Sequence, residues 1–162
     1  MSEYETILLR PANPSDELVL YNWANSDLVR SVSLSNSKFS WESHQKWFRN
    51  YFDNPKSKIF IGLNSSEEPI GQIRFDKVDD FNAEVHVYTK PDLIGQGIGT
   101  KIIRLGTENY LEDTAVIFIH ALILESNFAS IRAFQKAGYQ FKSEVWVRKR
   151  KFLKLTRSKA QK

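Results

Sequence analysis

The residues best placed to do chemistry form one segment, Pro91-Asp92-Leu93-Ile94-Gly95-Gln96-Gly97-Ile98-Gly99-Thr100-Lys101. Glycine lacks a Cβ, so alternating glycines let backbone N–H groups approach a ligand closely and turn toward it together. A helix beginning there would add about half a positive charge at its N-terminus, which suits a pyrophosphate. Spacing weakens two common versions of such a cradle. The P-loop pattern Gly-x-x-x-x-Gly-Lys-Ser/Thr is missing, and Gly-x-Gly-x-x-Gly fails by one residue. Taken alone, the segment reads equally as a turn that permits tight strand-to-helix packing. The chain has no cysteine, which excludes a disulfide framework, a thiolate zinc site and a cysteine nucleophile together.

The turn must be held by its neighbours. Before it, Lys58 to Leu63, Ile70 to Phe75 and Glu84 to Thr89 read as three strands separated by turn-rich stretches, an antiparallel meander. After it, Ile102, Ile103, Leu105, Tyr110 and Leu111 follow a helical pattern, and Ala115 to Leu124 is an apolar run expected for a strand buried on both faces. Asn127 to Ala137 reads as a helix stopped by Gly138, with strands at Tyr139 to Val147 and Lys151 to Thr156. Upstream, a strand at Thr6 to Arg10 precedes a helix through Leu18, Leu20, Tyr21 and Trp23, and a second helix runs from Ser40 to Asn54-Pro55. The whole is one α/β domain around a mixed sheet.

Composition agrees. A chain of 162 residues with 41% hydrophobic content, 11 Phe, 6 Tyr and 4 Trp suits one domain, assigned to residues 1–157, with 158–162 as a frayed basic tail. The 26% charged content argues against a disordered or membrane protein. Neither a signal peptide nor a transmembrane span is visible, so a cytoplasmic location is expected. Lys and Arg number 23 against 19 Asp and Glu, but eight of the basic residues fall in 148–162, leaving 15 against 19, a net of −4, over 1–147. A solvated final strand explains that tail more simply than contact with nucleic acid.

A second motif, Asn127-Phe128-Ala129-Ser130-Ile131-Arg132-Ala133-Phe134-Gln135-Lys136-Ala137-Gly138-Tyr139, follows the buried strand. In this order the two motifs resemble the GNAT superfamily of N-acetyltransferases, and the element order agrees over nearly the whole chain. The resemblance implies a central, mostly antiparallel sheet of six to seven strands flanked by about four helices, with acetyl-CoA as acyl donor. It further implies that the backbone of Gly95, Gln96, Gly97, Ile98, Gly99 and Thr100 holds the pyrophosphate of coenzyme A. The edge at Val87, Tyr88 and Thr89 would pair with the pantetheine arm, and Asn127, beyond capping its helix, would hydrogen-bond that arm. Ser130 and Lys136 would lie near the cofactor. Two departures from the family pattern stand out. Ile94 replaces the usual Arg or Gln, and Phe134 stands where many members carry a tyrosine taken to protonate the departing thiolate. With a thiol pKa near about 8.5, free thiolate at neutral pH costs about 2 kcal/mol, so the general acid is left unassigned.

An amine attacks a thioester only when neutral, so such a site needs a base and donors for the tetrahedral oxyanion. Glu84 and His86 lie two apart on a strand and face one side, where the family commonly places or relays the base. Either is a candidate. His86 needs little tuning from about 6.5, whereas Glu84, near about 4.3, needs burial or a water relay. His44 is a weaker candidate, and His120 is expected to be a packed core residue. Backbone N–H groups around Tyr88 would supply the oxyanion site.

The runs Leu20-Tyr21-Asn22-Trp23-Ala24-Asn25-Ser26, Ser40-Trp41-Glu42-Ser43-His44-Gln45-Lys46-Trp47-Phe48 and Gly71-Gln72-Ile73-Arg74-Phe75-Asp76 look similar to acetyltransferases of bacterial nucleotide-amino-sugar pathways, such as pseudaminic acid synthesis. That resemblance implies a small-molecule amine acceptor, with Trp23 and His44 at a ring and Arg74 at a phosphate. Core packing is the competing reading for Trp23, Trp47 and Phe48. A ribosomal-protein or N-terminal acetyltransferase, an aminoglycoside acetyltransferase and a non-catalytic coenzyme A-binding module are the alternatives. No metal or membrane partner is expected, and a homodimer is allowed.

Overall fold

The computed structural model describes residues 2–159. Strand β1 (Leu8–Pro11) leads through a 3-10 turn at Pro14–Asp16 into helix α1 (Glu17–Ala24). Asn13 accepts the Ser15 N–H at 2.9 Å while Asp16 accepts the Asn13 N–H at 2.8 Å, so side chains satisfy donors that a helix start leaves open. Helix α3 (Trp41–Asp53) starts likewise at Ser40, whose hydroxyl accepts the Ser43 N–H at 3.1 Å. Strands β2 (Ser57–Leu63), β3 (Pro69–Lys77) and β4 (Asn82–Thr89) form the expected antiparallel meander. Helix α4 (Ile98–Asp113), strand β5 (Phe118–Leu124), helix α5 (Phe128–Lys136) and strands β6 (Gln140–Val147) and β7 (Arg150–Ser158) complete the domain.

One seven-stranded sheet runs in the order β1-β2-β3-β4-β5-β7-β6, and every neighbour is antiparallel except β4 with β5. The mixed, mostly antiparallel sheet is therefore present. Among the described residues a fifth α-helix joins the four expected, α2 (Asp27–Val32). It buries no residue and spans six positions, too few for a period to stand out from the serine-rich stretch that follows, which is why its sequence reads as polar loop. Ser26 caps it by accepting the Val29 N–H at 3.3 Å.

Side-chain alternation divides the sheet into two faces. On one, Ile73, Phe75, Ala83, Val85, Ile119 and Ala121 join Ile98, Ile102, Ile103 and Tyr110 of α4 and Phe134 of α5 in the larger hydrophobic core. Close approach of α4 requires glycine at two sheet positions, since a Cβ on Gly62 or Gly71 would lie 2.9 or 2.7 Å from the Ile102 side chain. On the other face, Leu20 and Trp23 of α1 and Phe48 of α3 cover Ile59 and Ile61 of β2 in a smaller core. That second core stops short of β4 and β5, leaving their outward residues facing a cavity.

The parallel junction is brief. Strand β4 pairs with β5 at Asn82↔Phe118, Ala83↔Ile119 and Glu84↔His120, and beyond these three positions the strands part. Strand β5 was expected to be buried on both faces. It instead alternates: Ile119, Ala121 and Ile123 are buried, whereas His120 and Leu122 look into the cavity that the parting opens. A cavity lined by apolar groups produces the same unbroken apolar run as a second packed face. Strand β7 continues to Ser158, and Lys159 donates to the carbonyls of Ile117 (2.8 Å) and Thr114 (2.9 Å). The rest of the expected tail, residues 160–162, lies outside the described residues.

Candidate active site

The phase of the β3–β4 ladder decides where the free donors of β4 point. Lys90 N–H bonds the Ile70 carbonyl at 2.9 Å and Val78 N–H bonds the Asn82 carbonyl at 2.9 Å, so even-numbered β4 residues bond β3. The N–H groups of odd-numbered residues therefore point toward β5, and those of Val87 and Thr89 lie beyond the last paired position, where pairing has ceased. Tyr88 N–H is spent inside the sheet, which narrows the oxyanion donors expected around Tyr88 to its neighbours Val87 and Thr89. Across the opening stands Asn127, which lines the cavity and caps α5 by accepting the Ser130 N–H at 3.3 Å.

At the mouth of the parted strands the glycine turn has the backbone its sequence suggests. Gly95 (φ 84°) and Gly97 (φ 78°) are left-handed, and nothing lies within 4 Å of where their Cβ atoms would be. Gly97 is the N-cap of α4 and offers no side-chain cap, so the first N–H groups of the helix face open space. Ile98 contributes backbone alone, because its side chain is buried in the core. Ile94 is exposed and brings no donor. Lys136 is exposed and outside the cavity lining, and its carbonyl accepts from Arg104 at 3.1 Å.

The cavity of about 560 Å³ lies on the α1–α3 face. Glu84 and His86 both line it, with the closest approach between Glu84 Oε2 and His86 Nε2 at 4.0 Å. Asp76, directly across the ladder from Glu84, is the residue sequence reasoning passed over. Its Oδ2 accepts from Arg74 Nε at 2.9 Å and lies 3.3 Å from His86 Nε2, while Oδ1 accepts from Ser57 Oγ at 2.7 Å. Burial pushes the Asp76 carboxyl up, but His86, the Arg74 guanidinium and the Ser57 hydroxyl outweigh it and hold it well below the usual carboxylate range. The available signal was spacing, since Arg74 and Asp76 share a face of β3 opposite His86 and Glu84.

The aromatic residues sort differently from the sequence reading. Trp23 is buried in the smaller core, edge-on to Tyr88 at 6.5 Å, and does not line the cavity. Trp47 does line it, is 39% exposed, and carries the Arg74 guanidinium 5.3 Å above its ring. His44 is buried among Tyr21, Phe39, Trp41, Trp47 and Phe48, and its Nε2 donates to the Glu17 carbonyl at 2.9 Å. Burial lowers its pKa against the pull of that carbonyl, so it is held neutral. His120 is not sealed in the core: its Nε2 donates to Asn82 Oδ1 and its Nδ1 accepts from Thr156 Oγ1, both at 2.8 Å, at the cavity floor. Phe134 also lines the cavity, packed edge-on against Tyr139 at 4.9 Å. The Tyr139 hydroxyl bonds Thr107 at 2.7 Å inside the core and is no substitute proton donor.

The roof is α2 with the loop after it. Arg30 Nε donates to the Ala24 carbonyl at 2.6 Å and its guanidinium reaches the Ser35 carbonyl at 3.1 Å. Arg150, at the start of β7, donates to the carbonyls of Ser31 and Ser33, both at 2.8 Å.

Residues 6–140 match the Acetyltransferase (GNAT) domain family. The chain belongs to this family. Its GNAT fold is shared with solved structures. Spermidine N-acetyltransferase from Vibrio cholerae, in complex with coenzyme A and spermine, superposes with a TM-score of 0.87 at 12% identity, over 96% of each chain. The aminoglycoside acetyltransferase AAC(6')-Ib, in complex with ribostamycin and coenzyme A, gives 0.83 at 19% identity, over 96% of this chain and 94% of that one. An uncharacterized protein of Methanocaldococcus jannaschii is 22% identical over 142 residues, and the match spans 86% of this GNAT chain but 29% of that longer relative. Among the described residues no helix is long and apolar enough to cross a membrane.

Proposed function

We propose that this GNAT domain transfers an acetyl group from acetyl-CoA to a primary amine, and that the amine sits under the α2 roof on the acceptor side of β4. The observation that carries the reading is the parted β4–β5 junction, with unpaired N–H groups at Val87 and Thr89 opposite Asn127 and the open glycine turn at its mouth. An extended amide-bearing arm fits the strand edge, and a pyrophosphate fits the helix N-terminus at Gly97 to Thr100. Acetyl-CoA, when bound, supplies the activated acyl carbon. His86 takes one proton from the acceptor ammonium, with Glu84 as the alternative base, and the neutral nitrogen attacks. The Val87 and Thr89 N–H groups stabilise the oxyanion. The C–N bond forms as the C–S bond breaks, and the second amine proton neutralises the thiolate.

The acceptor is an amine whose body also carries an anion, as a nucleotide-linked amino sugar does. Among the described residues, nothing accepts from the terminal nitrogens of Arg74, which stack above Trp47 in the cavity wall. A polycationic aminoglycoside or polyamine suits this wall less well, because Arg30 and Arg74 both line it and Glu84 is the carboxylate that does. The test is thiol release from acetyl-CoA with UDP-linked amino sugars, aminoglycosides, spermidine and N-terminal peptides. Release confined to the nucleotide sugars supports the full reading. Release with polyamines or aminoglycosides keeps the transferase and overturns the anionic acceptor, and binding of acetyl-CoA without release to any amine overturns both.

A further inference from the structure

Asp76 lies on β3 directly across the ladder from Glu84, with Ser57 of β2 on its other side. Hydrogen bonds from Ser57 on β2 and Arg74 on β3 meet there with the 3.3 Å approach of His86 Nε2 from β4, and Arg74 and His86 line the cavity. Geometry fixes the protonation of the ring. Both nearby carboxylate oxygens, Asp76 Oδ2 at 3.3 Å and Glu84 Oε2 at 4.0 Å, approach the same nitrogen, Nε2. An ionised carboxylate accepts only, so these two approaches favour the hydrogen of neutral His86 on Nε2 and its lone pair on Nδ1.

We infer that Asp76 is a positioning residue: it holds His86 as the Nε2–H tautomer, leaving Nδ1 to receive the acceptor's proton, and stabilises the resulting imidazolium. This rests on the reading of His86 as the base. In the step, one N–H bond of the ammonium breaks and one Nδ1–H bond forms, the Nε2 hydrogen stays in place, and the positive charge moves onto a ring already facing a carboxylate. Arg74 offsets part of that carboxylate's charge and holds it in line through Nε, while Ser57 fixes its other oxygen. The other titratable or charged groups that line the cavity with His86 are Glu84 and Tyr88 on its own strand, His120 on β5, His44 on α3 and Arg30 on α2. None of these is within ion-pair distance of the ring except Glu84.

The decisive experiment pairs histidine side-chain 15N NMR on the full chain with steady-state kinetics of Asp76→Asn and His86→Ala. The wild-type spectrum is expected to show neutral His86 protonated at Nε2, and Asp76→Asn to lose that preference. Kinetically, Asp76→Asn should lower kcat/KM by about tenfold to a hundredfold. A wild-type Nδ1–H tautomer would overturn the proposal without any variant having to fold. So would an Asp76→Asn variant that keeps wild-type kcat/KM when His86→Ala is inactive. Full activity in His86→Ala would instead remove the base reading on which the proposal stands.

Discussion

Along β4, Ala83 and Val85 are sealed against α4, while Glu84 and His86 between and beside them look into a cavity lined also by Arg74 and His120. The same alternation holds on β3, where Ile73 and Phe75 are fully buried and Arg74 and Asp76 form an ion pair. Two faces of one sheet thus carry different tasks. The α4–α5 face is continuous packing in which methyl groups set the energy, and the α1–α3 face is a small core interrupted by charges that need exact partners rather than volume. The lesson is that a substitution should cost either stability or chemistry according to the parity of its position, and seldom both.

The largest effect expected is on the packed face. Phe75 is fully buried and stacks on Tyr110 at 4.3 Å, so Phe75→Ala should lower unfolding free energy by about 3–5 kcal/mol, read by denaturant titration. A loss below about 1 kcal/mol would break the contrast. One residue away, Arg74→Gln should change stability by less than about 1 kcal/mol, since its ion pair is partly exposed. The same change should raise KM for an anionic acceptor about tenfold, roughly 1.4 kcal/mol, with KM for acetyl-CoA unmoved. Equal losses in stability and acceptor KM would erase the distinction between faces.

The smallest effect concerns pH. Burial lowers the pKa of His44, and it lowers that of His120 with help from Lys154, so the unfolded chain binds protons more readily than the folded one below about pH 6.5. Stability should be fully present above that value and decline as pH falls toward 5, and His44→Asn should flatten the slope. Asp76 has the carboxylate sign: its depressed pKa stabilises the fold above its ordinary value of 3.8 and is lost at more acid pH. A stability curve flat between pH 7 and 5 would show that the cavity-side histidines are not held neutral.

Much of this arrangement was legible in the residues. Glycine at 95 and 97 announces left-handed backbone, Asn127 and Gly138 bracket α5, and spacing by two puts Glu84 and His86 on one side. Local rules suffice there because the cause is local. Which tryptophan would be core was not readable, because the aromatic residues of α3 share one side of the helix and the outcome depends on how α1 lies across it. Asp76 escaped for a related reason: a strand carboxylate looks solvated until the register sets Ser57 and Glu84 beside it. Helix α2 was hidden because side chains distant in sequence, not its own apolar face, hold it in place.

That last tie reaches furthest along the chain. The β6–β7 hairpin turns on Arg148 and Lys149, both at positive φ, and delivers Arg150 to carbonyls 117 and 119 residues earlier. During synthesis the glycine turn and the paired strands β1 to β4 emerge long before this arginine does. A growing chain can therefore pair β1 to β4 while the cavity still lacks its fixed ceiling, which comes only with β7, the strand that also joins β5 to β6.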